Sequence, residues 1–248
     1  MKGVILAGGK GTRLDPLTRV TNKHLLPVGA YPMIYYPIWT LVGAGITDIM
    51  LVTGGNNAGS FLELLGNGKE FGLKHLNYTY QEGHGGIADA LGLAEHFVDE
   101  DKCVVILGDQ VLSQGIRKHV DAFEEQARGG KVLLHEVEPA RARHFGVVVL
   151  NSEGHAKRIV EKPSEPRSNL VVIGVYMYDA LLWEILPTLK PSARGELEIT
   201  DVNNAYIEQS LLTCDIIEGE WADAGTSPEA LYRATTLARA MALPPPTA

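Results

Sequence analysis

The chain has 248 residues, of which 45% are hydrophobic and 21% charged, proportions that exclude a disordered or fibrous protein. Its net charge of −8 argues against a broad basic surface wrapping a nucleic-acid backbone, but a few local cations can still hold a small anion. The opening MKGVILAGG is too short in apolar residues for a signal peptide, and no stretch approaches membrane-spanning length, so the expectation is a cytoplasmic protein without a membrane or nucleic-acid partner.

In chain order, Val4-Ile5-Leu6 reads as a buried strand, followed by Ile49–Thr53 and Cys103–Leu107. Between them Ile87, Ala90, Leu91 and Ala94 recur at helical spacing, and Ile116, Val120, Phe123 and Ala127 repeat the pattern. Strands alternating with helices imply a mainly parallel sheet covered on both faces. From Lys131 to about Tyr178 the runs Val132–Leu134, Val147–Leu150 and Val171–Tyr178 are strand-like, which predicts added antiparallel or mixed strands. Helical spacing resumes at Ile199, Val202 and Tyr206. The last helix carries a capping-box pattern from Thr226 to Glu229, with Pro228 in its first turn and Leu231, Ala234, Thr235 and Ala238 on its inner face. Residues 1–241 are expected to form one domain, and 242–248 a Pro-rich tail frayed around Pro244–Pro246. Cys103 and Cys214 lie in apolar strand-like runs and read as two buried free thiols.

The chemistry begins directly after the first strand, at Leu6-Ala7-Gly8-Gly9-Lys10-Gly11-Thr12-Arg13-Leu14. Glycines there let the backbone approach a phosphate chain and aim its N–H groups at the anion. Thr12 adds a hydroxyl, and Arg13 a fork matched to phosphate oxygens. The dinucleotide fingerprint G-x-G-x-x-G fails because Leu14 stands at the third glycine, and the P-loop pattern occurs nowhere in the chain. A plain glycine turn competes with the phosphate reading until Arg13 is counted.

Further motifs extend the pattern. Lys23-His24-Leu25-Leu26-Pro27-Val28, Gly108-Asp109, Phe145-Gly146-Val147 and Glu161-Lys162-Pro163 follow in order. Pro191-Ser192-Ala193-Arg194-Gly195-Glu196-Leu197-Glu198-Ile199-Thr200-Asp201 and Trp221-Ala222-Asp223-Ala224-Gly225-Thr226 complete the set. From Met1 to about Ala240 the chain resembles the nucleotide-sugar pyrophosphorylases, and within them the glucose-1-phosphate thymidylyltransferases. The resemblance implies a Rossmann-like three-layer α/β fold with a mixed, mainly parallel sheet. It implies magnesium-dependent transfer of dTMP from dTTP to glucose-1-phosphate, giving dTDP-glucose and pyrophosphate, by a homotetramer.

It also implies roles for single residues. Leu6, Gly8, Gly9, Gly11, Thr12, Arg13, Lys23 and Asp109 surround the nucleotide, with Gln81 and Gly86 on its base. Gly146, Glu161 and Val172 face the sugar, and Lys162 and Arg194 its phosphate. Asp109 and Asp223 hold magnesium, and Arg13, Lys23, Lys162 and Asp109 form the catalytic set. These residue types suit the reaction, because joining two anions needs cations, and magnesium prefers carboxylate and phosphate oxygens. The Gln81 amide is able to donate and accept at once, matching N3–H and a carbonyl of thymine or uracil. Pro163 is expected to keep Lys162 extended.

Several positions depart from the usual pattern: His24, His84, Asp89, Gln110, Phe145 and Ile173. Asp89 bears on the nucleotide contacts, and Phe145 and Ile173 on the sugar. The enzyme alternative is a pyrophosphorylase using UTP or another sugar-1-phosphate. The non-enzyme alternative is a sugar-nucleotide-binding regulator, disfavoured because Arg13, Lys23 and Asp109 are all present. No His/Cys cluster suggests zinc.

Overall fold

The computed structural model describes residues 1–55 and 58–242. The expected frayed tail around Pro244–Pro246 lies outside the described residues. The first strand, β1 (Lys2–Ala7), is buried at every position from Gly3 to Ala7, as a central strand covered on both faces must be. A small ribbon, β2 (Pro27–Val28) with β3 (Tyr31–Pro32), comes next. Then β4 (Asp48–Gly54), β5 (His75–Gln81) and β6 (Cys103–Leu107) complete the parallel half of the sheet. A second ribbon strand, β7 (Gln110–Leu112), follows β6 almost at once.

The remaining strands are β8 (Gly130–Glu136), β9 (Gly146–Leu150), β10 (Ala156–Glu161), β11 (Leu170–Tyr178), β12 (Leu212–Ile216) and β13 (Trp221–Asp223). Among the described residues the main sheet has nine strands, running β10-β9-β11-β6-β1-β4-β5, with β8 and β12 added alongside β11. The long strand β11 branches it. One edge of β11 pairs with β8, while the other meets β9 at Val171 and β6 from Val175 to Tyr178, all antiparallel.

The parallel half turns around at β1. From it β4 and β5 extend to one side and β6 to the other, which leaves a crevice at the carboxyl ends of β1 and β6. One layer of side chains, including Ile38, Leu41, Phe61 and Phe123, covers one face of the sheet. Ala90, Leu91, Leu182, Val202 and Tyr206 cover the other. Leu14, Val28 and Met33 form a smaller core with Ala234 and Ala238 of the last helix.

Four local expectations need correction, and one strand was not anticipated. The helix read from Ile87 to Ala94 spans only Ile87–Gly92, with a separate short turn at Glu95–Val98. The helix carrying Val120 and Phe123 stops at Glu125, so Ala127 lies outside it and is exposed. The cap of the last helix is Ser227, whose hydroxyl accepts from Ala230 N at 3.1 Å, rather than Thr226. Cys214 is half-buried, because β12 is added outside β8, whereas Cys103 is buried. The strand His75–Gln81 lacked a clear sequence signal, since polar and apolar residues mix along a strand that closes one end of the sheet.

Candidate active site

The crevice is built from loops that leave the sheet at its switch point. The first is the glycine loop after β1. A Cβ on Gly8 would lie 2.8 Å from Gln81 Oε1, so only glycine lets that side chain approach. Gly11 has φ 66°, the left-handed region that glycine enters without strain, and its carbonyl accepts from Thr18 Oγ1 at 2.9 Å. The short turn Thr12–Leu14 then buries Leu14 completely and leaves Arg13 outside. Further on, Asn22 spans back to the strand: its Nδ2 donates to Ala7 O at 3.3 Å, and its Oδ1 accepts from His24 N at 2.9 Å. This fixes the backbone that carries Lys23.

Lys23 Nζ reaches across the crevice end of β1 and forms an ion pair with Asp109 Oδ2, both side chains almost fully withdrawn from water. Gln110 Nε2 donates to the other carboxylate oxygen at 3.0 Å, while Gln110 Oε1 accepts from Trp221 Nε1 at 2.7 Å and Gly174 N at 3.3 Å. Burial alone would raise the Asp109 carboxyl, but the Lys23 ammonium and these hydrogen bonds hold it well below the usual range. His24 is buried beside them. Burial, and then the neighbouring Lys23 charge, push its imidazole down to about 3, so it is neutral at pH 7.

A two-stranded ribbon brings the second carboxylate in. β13 pairs antiparallel with β7, setting Asp223 opposite Gln110, and Ala224 N donates to Asp109 O at 2.9 Å. Burial and the Asp109 charge push the Asp223 carboxyl up to about 7. Two carboxylates in one cleft, one resisting ionisation through burial and then through the charge of the other, are an all-oxygen donor pair that a divalent cation would relieve. That donor chemistry fits magnesium. Among the described residues no cluster of three or more His, Cys, Asp or Glu forms a metal cage, so an ion here would need further oxygens from elsewhere. Gly225 completes the corner, since a Cβ there would overlap Asp109 Oδ2 and lie 2.6 Å from Lys23 Nζ.

The far wall comes from the antiparallel half. Glu161 ends β10, accepts from Thr200 Oγ1 at 2.7 Å, and pairs with Lys162 Nζ at 2.9 Å. Lys162 is not extended: its φ is 42°, a left-handed conformation that costs a non-glycine residue of order 1–3 kcal/mol. Its N–H donates to Phe145 O at 3.0 Å, which ties the turn to the loop before β9 and overrides the extended preference expected before Pro163. Arg194 also faces the cleft, but its fork is engaged by Glu198, with Nη2 at 2.9 and 2.8 Å from the two carboxylate oxygens.

On the base side, Gln81 ends β5 and is buried. Its Nε2 donates to Gly86 O at 3.1 Å and to Asp89 Oδ2 at 2.7 Å. Both amide hydrogens are therefore used, and the side chain offers the cleft an acceptor alone, not the donor-and-acceptor pair expected from sequence. The loop Gly85–Ala88 is tied to the far wall by Leu197 N donating to Gly85 O at 2.7 Å and Ala88 N donating to Leu197 O at 3.1 Å.

Together these walls enclose a cleft of about 340 Å³. Leu6, Gly8, Gly9, Arg13, Lys23, Gln81, Gly86 and Asp109 line it, as do Gly146, Glu161, Lys162, Val172, Arg194 and Asp223. Gly11 and Thr12 do not. Gly11 packs against Thr18 and Lys23, and Thr12 lines a second hollow that shares Gly8 and Gly9 with the cleft and adds Lys10, Thr18 and Asn22. Sequence reasoning gave no role to Tyr176, Thr200, Asn203 or Trp221, which also line the cleft. Thr200 was visible only as part of a motif, and Tyr176 reads as one more apolar position of a buried strand.

The nucleotidyl transferase family model matches residues 2–240. The chain belongs to the nucleotidyl transferase family. A glucose-1-phosphate thymidylyltransferase of Neisseria meningitidis is 41% identical over 95% of this chain and 82% of its own. One from Mycobacterium tuberculosis is 41% identical over 91% of this chain and 78% of its own. A Bacillus anthracis crystal structure with sucrose, provisionally named glucose-1-phosphate thymidylyltransferase, superposes with TM-score 0.93 at 48% identity, covering 99% of this chain and 98% of that one. A UDP-glucose pyrophosphorylase with bound UDP-glucose shares the fold at TM-score 0.85 and 24% identity, covering 96% of this chain and 98% of its own. This nucleotidyltransferase is therefore an α/β enzyme whose mixed sheet is that of the nucleotide-sugar transferases.

Proposed function

We propose that the enzyme transfers dTMP from dTTP to glucose-1-phosphate, releasing pyrophosphate and dTDP-glucose. The observation that carries this reading is the convergence in one cleft of cations from distant parts of the chain, Arg13 and Lys23 on one wall and Lys162 on the other. The cleft's two ends would take the two substrates. Gln81 and Gly86 receive the base, and Gly8, Gly9, Arg13 and Lys23 the nucleotide phosphates. Gly146, Glu161 and Val172 hold the sugar, and Lys162, helped by Arg194, its phosphate.

An oxygen of the sugar phosphate attacks the α-phosphorus in line. A new P–O bond forms as the bond to the bridging oxygen breaks, and pyrophosphate leaves with that electron pair. The attacking oxygen is already anionic, so no general base is needed. The demand is instead for cations that offset repulsion and stabilise the leaving charge. Lys23 is positioned by its buried partner Asp109, and Lys162 by Glu161. Asp109 and Asp223 would hold magnesium, which when bound supplies Lewis-acid charge neutralisation on phosphate oxygens.

The reading extends to residues 1–241 acting as one unit, in the cytoplasm, as a homotetramer. Light scattering tests the last point, and a monomer at micromolar concentration refutes it. The substrate test is pyrophosphate release with magnesium across four nucleoside triphosphates and several sugar-1-phosphates. The expected best pair is dTTP with glucose-1-phosphate, and faster turnover of another pair overturns the assignment.

A further inference from the structure

We propose that Asp89 is a positioning residue that sets nucleotide-base selectivity by locking the Gln81 amide, so that the cleft presents an acceptor and admits a base carrying an imino N–H. The inference rests on the base site proposed above.

The lock follows from hydrogen-bond valence. The Gln81 amide has one end that only accepts and one that only donates. One end faces Gly86 O at 3.1 Å and Asp89 Oδ2 at 2.7 Å. A carbonyl and a carboxylate oxygen both accept, so the amide nitrogen must face them and Oε1 must point the other way, toward Gly8 and the cleft. Turning the amide over would set Oε1 against two oxygens and take from Asp89 Oδ2 its Gln81 donor, in a side chain that is only 7% exposed, while Gly86 O would keep the Ala90 N–H at 3.2 Å. Gly85 makes the approach of Asp89 possible, since a Cβ there would lie 2.8 Å from Asp89 Cβ and overlap its carboxyl carbon. The half-buried Asp89 thus sits within the loop rather than in solvent.

The consequence is a choice between base edges. Thymine and uracil carry N3–H, which the fixed Oε1 accepts. Cytosine carries an acceptor at N3, which would meet Oε1 with two lone pairs opposed. A glutamine free to turn would serve both, because it would show either end. Asp89 removes that freedom. With Asn at this position the stronger of the two constraints is lifted, because Asn is able to present an N–H to a turned Oε1, and only Gly86 O, which has the Ala90 N–H as a second donor, still opposes the turn.

The experiment compares kcat/KM for dTTP and dCTP, each with glucose-1-phosphate, in the wild type, Asp89→Asn, Gln81→Ala and the double variant. The wild type is expected to favour dTTP. Asp89→Asn should raise relative use of dCTP about tenfold or more while the dTTP value changes only a few-fold. In the Gln81→Ala background the same substitution should leave the ratio unchanged, because Asp89 acts through Gln81. A helix-capping role for Asp89 would lower the melting temperature without moving the ratio, and that result overturns the inference. So does an equal change in ratio in both backgrounds. Should Asp89→Asn not fold, Asp89→Ser, which withdraws the carboxylate with a smaller side chain, is read in the same way. A wild type that does not use dTTP refutes the thymidylyl reading itself; a dTTP-selective wild type with an unmoved Asp89→Asn ratio refutes only the lock.

Discussion

Gly225→Ala is the sharpest test of how the catalytic corner is assembled. The added methyl would overlap Asp109 Oδ2 and lie 2.6 Å from Lys23 Nζ, whereas ordinary contact begins at 3.4 Å. The ammonium must therefore retreat by at least 3.4 − 2.6 = 0.8 Å, and the carboxylate must move as well. The carboxylate has little slack, since Asp109 is held from its other oxygen by Gln110 at 3.0 Å and from its carbonyl by Ala224 N at 2.9 Å. Displacing a group by about 1 Å costs on the order of 100-fold in rate when geometry is the source of catalysis, and overpacking costs about 1–3 kcal/mol in stability. The expected variant is folded, somewhat less stable, and about 100-fold slower in pyrophosphate release at saturating dTTP and glucose-1-phosphate. Thermal unfolding followed alongside turnover separates the two effects. A Gly225→Ala enzyme with wild-type turnover would refute the corner as described, because the pair would then tolerate displacement.

Other outcomes follow from the same geometry. Asp109→Asn and Asp223→Asn should each lower turnover about 100-fold and raise the magnesium requirement, and the double variant should be barely worse than the poorer single one. Penalties that add in free energy, with unchanged magnesium dependence, would separate the two carboxylates. Lys162→Ala should weaken kcat/KM for glucose-1-phosphate by roughly tenfold to a hundredfold and leave dTTP affinity by calorimetry unchanged; the reverse pattern moves Lys162 to the nucleotide. Away from the cleft, Asp215 accepts from buried Lys131 Nζ at 2.8 Å and lies 2.9 Å from His119 Nδ1. Burial would raise the Asp215 carboxyl, but these partners hold it below its ordinary value. A depressed folded pKa means stabilisation that is present above the unfolded value of about 3.9 and lost as pH falls below it. Asp215 is itself part exposed, so Asp215→Asn should cost only about 1 kcal/mol at pH 7, and its gap from wild type in denaturant unfolding should shrink below about pH 4. A gap constant down to pH 3 would contradict this.

Much of the molecule was legible in the sequence, for identifiable reasons. Buried central strands such as Val4–Leu6 and Cys103–Leu107 are written as apolar runs because both their faces lie inside. The glycine loop, Gly108-Asp109 and Glu161-Lys162-Pro163 are visible because unusual backbone and cationic residues stand together at strand ends. Properties of one residue's neighbours along the chain were not enough elsewhere. The strand His75–Gln81 mixes polar and apolar residues and was missed, and Gly11 and Thr12, grouped with the cleft by their motif, are not among the residues that line it. Lys162 adopts φ 42° although the following proline favours an extended form, because its N–H is claimed by Phe145. The sequence alone determined which charged residues exist and which strands carry them. Only the tertiary structure decided which charges neutralise each other: Lys23 with Asp109 across two strands, Asp223 beside them through the β7–β13 ribbon, and Arg194 engaged by Glu198. The physical reason is that hydrogen bonds and ion pairs act over a few ångströms in space, and the partners that exhaust a side chain's donors and acceptors come from distant turns of the chain.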